Sequence, residues 1–297
     1  LIVVCVPPDV TADVIQAELA SYPDAVVTDV ASVKRAPRQQ LQDKGVDLSH
    51  YIGSHPLAGR EKGGAIAGRA DLFIGRPWVV CADEKSPAWA VALVEDLVLD
   101  LGATPIEMTP EAHDDAVGLV SHVPQIISSL MAKQLESASD DAVRIAGQGL
   151  RDVTRIAASS PELWIQILSA NHTAVLEVLE GFHKDLSSMM SALSDINAPG
   201  ARSIIASELS AANAGVGRLP GKHGQHKRFA QIVVLIDDRP GQLATLLGEL
   251  GELNINVEDL RLEHAEGAQM GLVEFSVVPE IHDSLVADLK ARGWRVA

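Results

Sequence analysis

The chain has 297 residues, of which 47% are apolar, 22% charged and only 3% aromatic, so its two or three cores must be built mainly from Leu, Ile, Val and Ala. No apolar run approaches the roughly 20 residues of a membrane span. A net charge of −16 argues against non-specific nucleic-acid binding, and any anionic substrate must be met by cations gathered locally. Cys5 and Cys81 lie in apolar, strand-like runs and read as buried free thiols of a reducing, cytoplasmic compartment.

"LIVVCVPP" opens the chain as a continuous apolar run, the pattern of a strand buried on both faces of a parallel sheet. A helix follows in "DVTADVIQAELASY", then the strand "AVVTDV", then a basic helix from Ser32 to about Gln42. "PWVVCA" and "ATPIEM" read as further strands, with the helix "PAWAVALVEDLVLDLG" between them. This is the grammar of an α/β, doubly wound, Rossmann-like sheet over residues 1–108. No G-x-G-x-x-G occurs, and "GVGRLPG" at Gly215 has the wrong spacing and follows a helix. With Leu1 rather than Met in first position, the expectation is a partial dinucleotide-binding domain whose glycine-loop half is missing, which would bind dinucleotide poorly.

Residues 109–214 read as all-helical. At "SSPELW", Ser160 is placed to cap, Pro161 suits the first turn, and Ser159 with Glu162 matches a capping box. Leu168, His172, Val175, Leu179, Phe182, Leu186, Met189 and Leu193 then recur in alternating steps of four and three, a seam read as a helix–helix interface between subunits. Residues 215–228 are Gly-rich and basic and read as a linker. Residues 229–297 spell strand–helix–strand–strand–helix–strand, a ferredoxin-like βαββαβ module.

The chemistry-bearing stretches are "TDVASVK" at a strand end, "GSHPLAGREKGG" around His55, "SHVPQ" from Ser121 to Gln125, and "GLRDVTRIAASSPELW" from Gly149 to Trp164. Ser121 and His122 are neighbours on a helix, about 100° apart, so they do not form a catalytic pair. His113, Asp114, Asp115 and His122 invite a metal reading, yet their spacing matches no i,i+4 ligand pair. The Asn171 sequon is one by letters only, since it falls in a helix.

Taken together and in order, "VPP", "DVASVK", "GSHPLAG", "HDDAVGLVSHVPQ", "GLRDVTRIAASSPELW" and "DDRPGQLATLLGEL" make the chain similar to prephenate dehydrogenases that carry a C-terminal ACT domain. The resemblance implies oxidative decarboxylation of prephenate to 4-hydroxyphenylpyruvate, with hydride passed to NAD or NADP. It implies His55 as the neutral imidazole that accepts the hydroxyl's hydrogen bond, with Ser32 near the same hydroxyl and the nicotinamide. Arg155 would anchor a carboxylate through its planar guanidinium. Ser121, Gln125 and Trp164 would line the substrate pocket, and Glu61 would gate or position it. Val6, Pro7, Asp29 and Ser32 would face the cofactor.

In the ACT module, Gly241 at a helix N-terminus, Asp238 and Asn256 would hold an effector amino acid, tyrosine being expected, and the whole would be a homodimer. Relatives commonly read "SHLPH" where this chain has "SHVPQ", so Arg60, Lys62 or Arg151 would take over part of the carboxylate binding. The rival readings are an arogenate dehydrogenase, another β-hydroxyacid-type dehydrogenase whose helical catalytic lysine is not found here, and a non-catalytic amino-acid-sensing dimer with a degenerate nucleotide fold.

Overall fold

The computed structural model describes residues 1–59, 68–82, 86–219, 229–264 and 270–297. The chain divides into two compact units, residues 1–187 and 188–297.

The first unit begins with β1 (Ile2–Val4), α1 (Pro8–Ser21), β2 (Val27–Asp29), α2 (Arg35–Asp43), β3 (Tyr51–Pro56), β4 (Pro77–Cys81), α3 (Ala88–Asp100) and β5 (Thr104–Met108). The five strands lie in chain order, β1-β2-β3-β4-β5. Side chains alternate across each strand, so the sheet presents two apolar faces. On one, Val4, Val27 and Tyr51 pack with Ala12 and Ile15 of α1 and Leu41 of α2. On the other, Ile52, Trp78 and Val80 meet Ala90, Val94 and Val98 of α3. The i, i+4, i+8 spacing of those three α3 residues makes one buried stripe, and burying a valine side chain stabilises by about 1.5–3 kcal/mol.

The sheet expected to be wholly parallel is mixed. β1, β2 and β3 run parallel, but β4 runs antiparallel to β3, with His55 opposite Val79, and β5 then runs parallel to β4. A parallel neighbour needs a crossover, usually a helix, and none occurs among the described residues between Pro56 and Pro77. The opening strand also departs from expectation. β1 lies at the sheet edge, where Val3 is exposed and Val4 alone of its three residues is buried. Cys5 is accordingly exposed, whereas Cys81 is buried as expected. Burial holds the Cys81 thiol's pKa up at about 12, so it is inert.

The helical region continues with α4 (Pro110–Val117), a π-helical turn (Gly118–His122), α5 (Val123–Gln134), α6 (Asp140–Arg144), α7 (Gln148–Thr154), a 3-10 turn (Arg155–Ala158), α8 (Pro161–Ala170) and α9 (His172–Ser194). Ser160 caps α8 through the Leu163 N–H, as its position before Pro161 requires. The seam expected to run unbroken from Leu168 is interrupted at Asn171, where α8 ends and α9 begins. Beyond the break its apolar members stand open, with Phe182 43% and Leu193 59% exposed.

The second unit contains α10 (Ala201–Val216), β6 (Ala230–Asp237), α11 (Gln242–Glu252), β7 (Asp259–His264), β8 (Met270–Val277), α12 (His282–Ala291) and β9 (Arg295–Val296). α10 extends through Gly215 and Val216, so the first residues of the expected linker are helical, and residues 220–228 lie outside those described. The four strands form an antiparallel sheet in the order β7-β8-β6-β9. Ile232, Val234 and Ile236 alternate inward from β6 to meet Leu246 and Leu250 of α11 and Leu285 and Leu289 of α12. α11 begins at Gly241, whose φ of 92° is left-handed and strained for other residues.

Candidate active site

The site is built at the carboxyl ends of β2 and β3. Alternation along β3 sends Ser54 to the α3 side, where its hydroxyl donates to the Asp29 carbonyl at 2.8 Å and receives the Trp78 indole N–H at 3.0 Å. Gly53 and His55 point the other way. A side chain at Gly53 would stand 3.1 Å from the Tyr51 hydroxyl oxygen and 3.2 Å from the Lys34 chain, so the position is closed to anything larger.

What fills that space is a buried ion pair. The Asp29 carboxylate receives the Lys34 ammonium, the Ala31 N–H at 2.9 Å and the Tyr51 hydroxyl at 2.7 Å. Both charged groups are enclosed, Asp29 at 0% and Lys34 at 1% exposure. Burial first, then the Asp29 charge, pushes the Tyr51 phenol well above its ordinary value, so it stays a donor.

His55 heads a second chain. Its Nδ1 lies 2.8 Å from Nε2 of His113, and His113 Nδ1 lies 2.7 Å from Oδ1 of Asp114. Asp114 is itself held by the first backbone groups of α2: its Oδ1 accepts the Lys34 N–H at 2.8 Å and its Oδ2 the Arg35 N–H at 2.9 Å. α4 therefore carries His113 and Asp114 to the end of β3, some sixty positions from His55 in the chain. The His55 pKa lies well below 6.5, chiefly through burial and then through His113, Lys34 and His122, beside which a further positive charge is disfavoured. Its imidazole is neutral at ordinary pH.

The chain of contacts extends into the helical region. The Asn171 amide donates to the Asp114 carbonyl at 2.7 Å and to Nδ1 of His122 at 3.1 Å. An accepting Nδ1 leaves the proton of neutral His122 on Nε2. Burial brings the His122 pKa down to about 4, against the opposing charge of Asp114, with His113 adding to the fall. Trp164 meets the His122 ring edge-on, centroids 5.9 Å apart. His122 sits at the end of the π-helical turn, where Gly118 packs close to Ala174, and such turns are frequent at functional sites. Ser121, one residue away, faces solvent.

The other residues expected at the site occupy both enclosed and open positions. Asp29 does not face a ligand, because its carboxylate is enclosed and fully engaged; it braces the strand end instead. The helix expected from Ser32 begins three residues later, at Arg35 with Lys34 at its N-cap, and Ser32 lies half-buried in the turn after β2. Gln125 is buried and donates to Ser129 at 3.3 Å. Arg155 is exposed on its 3-10 turn, which packs against α5. Arg151 is exposed on α7. Glu61, Arg60 and Lys62 lie outside the described residues. Asp238 and Asn256 are exposed, Asn256 donating to Glu258 at 2.6 Å.

His113, Asp114, Lys34, His122 and Asn171 were not expected as a working group. By spacing the first, second and fourth fit no metal site, and His122 is no catalytic partner for its neighbour Ser121. Among the described residues there is no cluster of three or more groups able to hold a metal. A signal was available in "HDD", which pairs a histidine with a neighbouring carboxylate, but it gave no hint of His55 as the third member.

A nicotinamide dinucleotide fits the carboxyl edge of this sheet. β1, β2 and β3 are parallel neighbours, so Val6 and Pro7 beyond β1, Ser32 beyond β2 and His55 near the end of β3 stand along one edge, where such sheets take ligands.

An open α/β sheet with a polar cluster at its strand ends and a helical region after it defines the nucleotide-binding class. Residues 1–107 match the family model for the prephenate dehydrogenase nucleotide-binding domain, and residues 109–206 that for the prephenate dehydrogenase dimerization domain. The probable prephenate dehydrogenase NovF of Streptomyces niveus is 32% identical over 99% of this chain and 83% of its own length. Among solved structures, prephenate dehydrogenase from A. aeolicus in complex with hydroxyphenyl propionate and NAD+ has a TM-score of 0.61 and 26% identity, covering 72% of this chain and 75% of that one. Synechocystis arogenate dehydrogenase has a TM-score of 0.58 and 26% identity, covering 72% and 78%. The chain belongs to the prephenate dehydrogenase family. The nucleotide-binding match begins at residue 1 and lends no support to a lost glycine-loop half.

Proposed function

We propose that this chain is a prephenate dehydrogenase that uses NAD, with His55 as the group that accepts the substrate's hydroxyl proton. The observation that carries the reading is a half-buried imidazole at the carboxyl edge of the sheet, hydrogen-bonded through Nδ1 to His113 and with a pKa well below 6.5. NAD, when bound, supplies the acceptor for a hydride, that is, for the ring C–H hydrogen with its two electrons. Loss of that hydride develops positive charge at the carbon bearing the hydroxyl. A neutral imidazole relieves it by taking the hydroxyl proton as it becomes acidic.

The bond to the ring carboxylate then breaks, carbon dioxide leaves, and the electron pair closes the aromatic ring. The proton returns from His55 to the phenolic oxygen, so the products are 4-hydroxyphenylpyruvate, carbon dioxide and reduced cofactor.

Arg155 is assigned to a substrate carboxylate, Ser32 to the hydroxyl and nicotinamide, and Ser121, Gln125 and Trp164 to the pocket wall; Glu61 keeps its assigned gating role. Val6, Pro7 and Ser32 are assigned to the cofactor. The dimerization-domain match and the exposed Phe182, Leu186 and Leu193 support a homodimer formed through α9. Strand–helix–strand–strand–helix–strand order with an antiparallel β7-β8-β6-β9 sheet supports a ferredoxin-like ACT module at residues 229–297. There the left-handed Gly241 opens α11, and Asp238, Gly241 and Asn256 are assigned to tyrosine as effector. The reading places the enzyme in the cytoplasm, where its two free thiols stay reduced.

Arogenate is the competing substrate, since the arogenate dehydrogenase likeness is nearly as extensive. Parallel assays of NADH formation decide between them. Prephenate is expected to give a kcat/KM at least tenfold above that of arogenate, and tyrosine to inhibit the intact chain but not one ending at residue 219. Arogenate turning over faster would replace the substrate, and NADH from neither would overturn the reading.

A further inference from the structure

We propose that Asp114, acting through His113, fixes which nitrogen of His55 carries the proton, leaving Nε2 bare to receive the substrate hydroxyl. The proposal rests on the prephenate reading for its kinetic arm alone.

The chain is anchored at Asp114. Asp114 Oδ1 faces two donors, the Lys34 N–H and His113 Nδ1, while Oδ2 faces the Arg35 N–H. A carboxylate so placed can only accept, and backbone N–H groups cannot reverse their role. His113 must therefore carry a proton on Nδ1, and in the neutral ring its Nε2 is a lone pair. That lone pair lies 2.8 Å from Nδ1 of His55, which must then be the donor. Neutral His55 is left with Nε2 unprotonated.

The rings meet edge to face at 75°, and His113 and Asp114 are fully buried, so neither can turn away to solvent. Asn171, at the junction of α8 and α9, holds the Asp114 carbonyl, which fixes the residue from its backbone side as well. When His55 takes the hydroxyl proton, its Nδ1–H stays bonded to His113, so the new charge develops against a chain that ends in a carboxylate. His113 and Asp114 touch neither substrate nor cofactor in this account; they are positioning residues.

The test uses the full chain labelled with 15N histidine, in which one-dimensional and correlated NMR spectra show which ring nitrogens bear protons. The expected pattern at neutral pH is Nδ1–H with bare Nε2 on both His55 and His113. Asp114→Asn turns an NH2 group toward one of the three donors, and the proton order inverts if that group faces His113. Its kcat for prephenate is expected to fall by roughly 10²–10⁴, the range of an orienting carboxylate lost to the wrong tautomer, with KM changed only severalfold.

His113 supplies a second pair of variants should Asp114→Asn fail to fold. His113→Gln keeps an amide oxygen able to accept from His55 and is expected to lose less than tenfold, whereas His113→Leu loses at least a hundredfold. A protonated Nε2 on wild-type His55, an Asp114→Asn protein with unaltered proton order and turnover, or equal activity of the two His113 variants would each overturn the proposal. The expected proton pattern in a protein that makes no NADH from prephenate would instead retain this proposal and remove the substrate assignment.

Discussion

Replacing His55 by asparagine is expected to lower kcat for prephenate by roughly 10²–10⁴, the usual contribution of a positioned proton acceptor, and to leave KM within severalfold. The asymmetry follows from where the interaction operates. In the ground state the hydroxyl makes one ordinary hydrogen bond, worth about 1 kcal/mol net. As the hydride departs the hydroxyl becomes strongly acidic, and only then does the nitrogen lone pair matter in full. Asparagine is short and weakly basic: it can accept a hydrogen bond in the ground state but cannot hold the proton. Steady-state kinetics with saturating NAD separate the two parameters, and an equal loss in kcat and in substrate affinity would show that His55 only binds.

The second large effect is on stability. Asp29→Asn removes the negative partner of Lys34 while leaving the ammonium enclosed at 1% exposure. Breaking a buried pair from one side costs about 3–5 kcal/mol because the remaining charge is uncompensated. That is a large part of the 5–15 kcal/mol by which folded proteins of ordinary stability exceed their unfolded states. The amide also cannot accept all three donors that Asp29 serves, from Lys34, Ala31 and Tyr51.

Lys34→Met is expected to cost less, since the carboxylate keeps the Ala31 and Tyr51 hydrogen bonds, and the double variant should recover part of the Asp29→Asn loss. Urea unfolding at neutral pH measures all three. A single Asp29→Asn variant within 1 kcal/mol of the wild type would show that the pair is not the brace described above.

Local signals in the chain foretold much of this molecule and missed what depends on distant partners. The stripe Ala90, Val94, Val98 and the alternation Ile232, Val234, Ile236 each obey one period, which is why the helix and the strand that carry them were legible as elements. The antiparallel turn of β4 against β3 was not legible, because strand direction is decided by the connection and not by the strand's own letters. The β1 run looked doubly buried because apolar residues alone do not tell a central strand from an edge one. At Asn171, heptad spacing continued across a residue that the fold uses as a buried hydrogen-bonding junction, and the junction ended the helix.

The candidate site divides in the same way. His55 stood out because glycines and prolines exclude a helix around it. His113 and Asp114 did not, because nothing local to "HDD" shows which distant side chain the pair meets. Their role depends on a contact to a residue 58 positions away. Lys34 looked like one cation of a basic helix, and nothing local showed that it would be enclosed beside Asp29.

The most direct test of the central claim, a neutral His55 as proton acceptor, is the pH dependence of kcat/KM for prephenate, taken over the range where circular dichroism shows the fold intact. Burial first, and then the neighbours His113, Lys34 and His122, hold the His55 pKa well below 6.5, so protonation, which removes the acceptor, occurs only on the acid side of that value. The account predicts constant activity from neutrality down through pH 6.5, an acid limb below it, and no such limb in the residual activity of His55→Asn. A limb centred at or above 6.5, or one that persists unchanged in the variant, would contradict it.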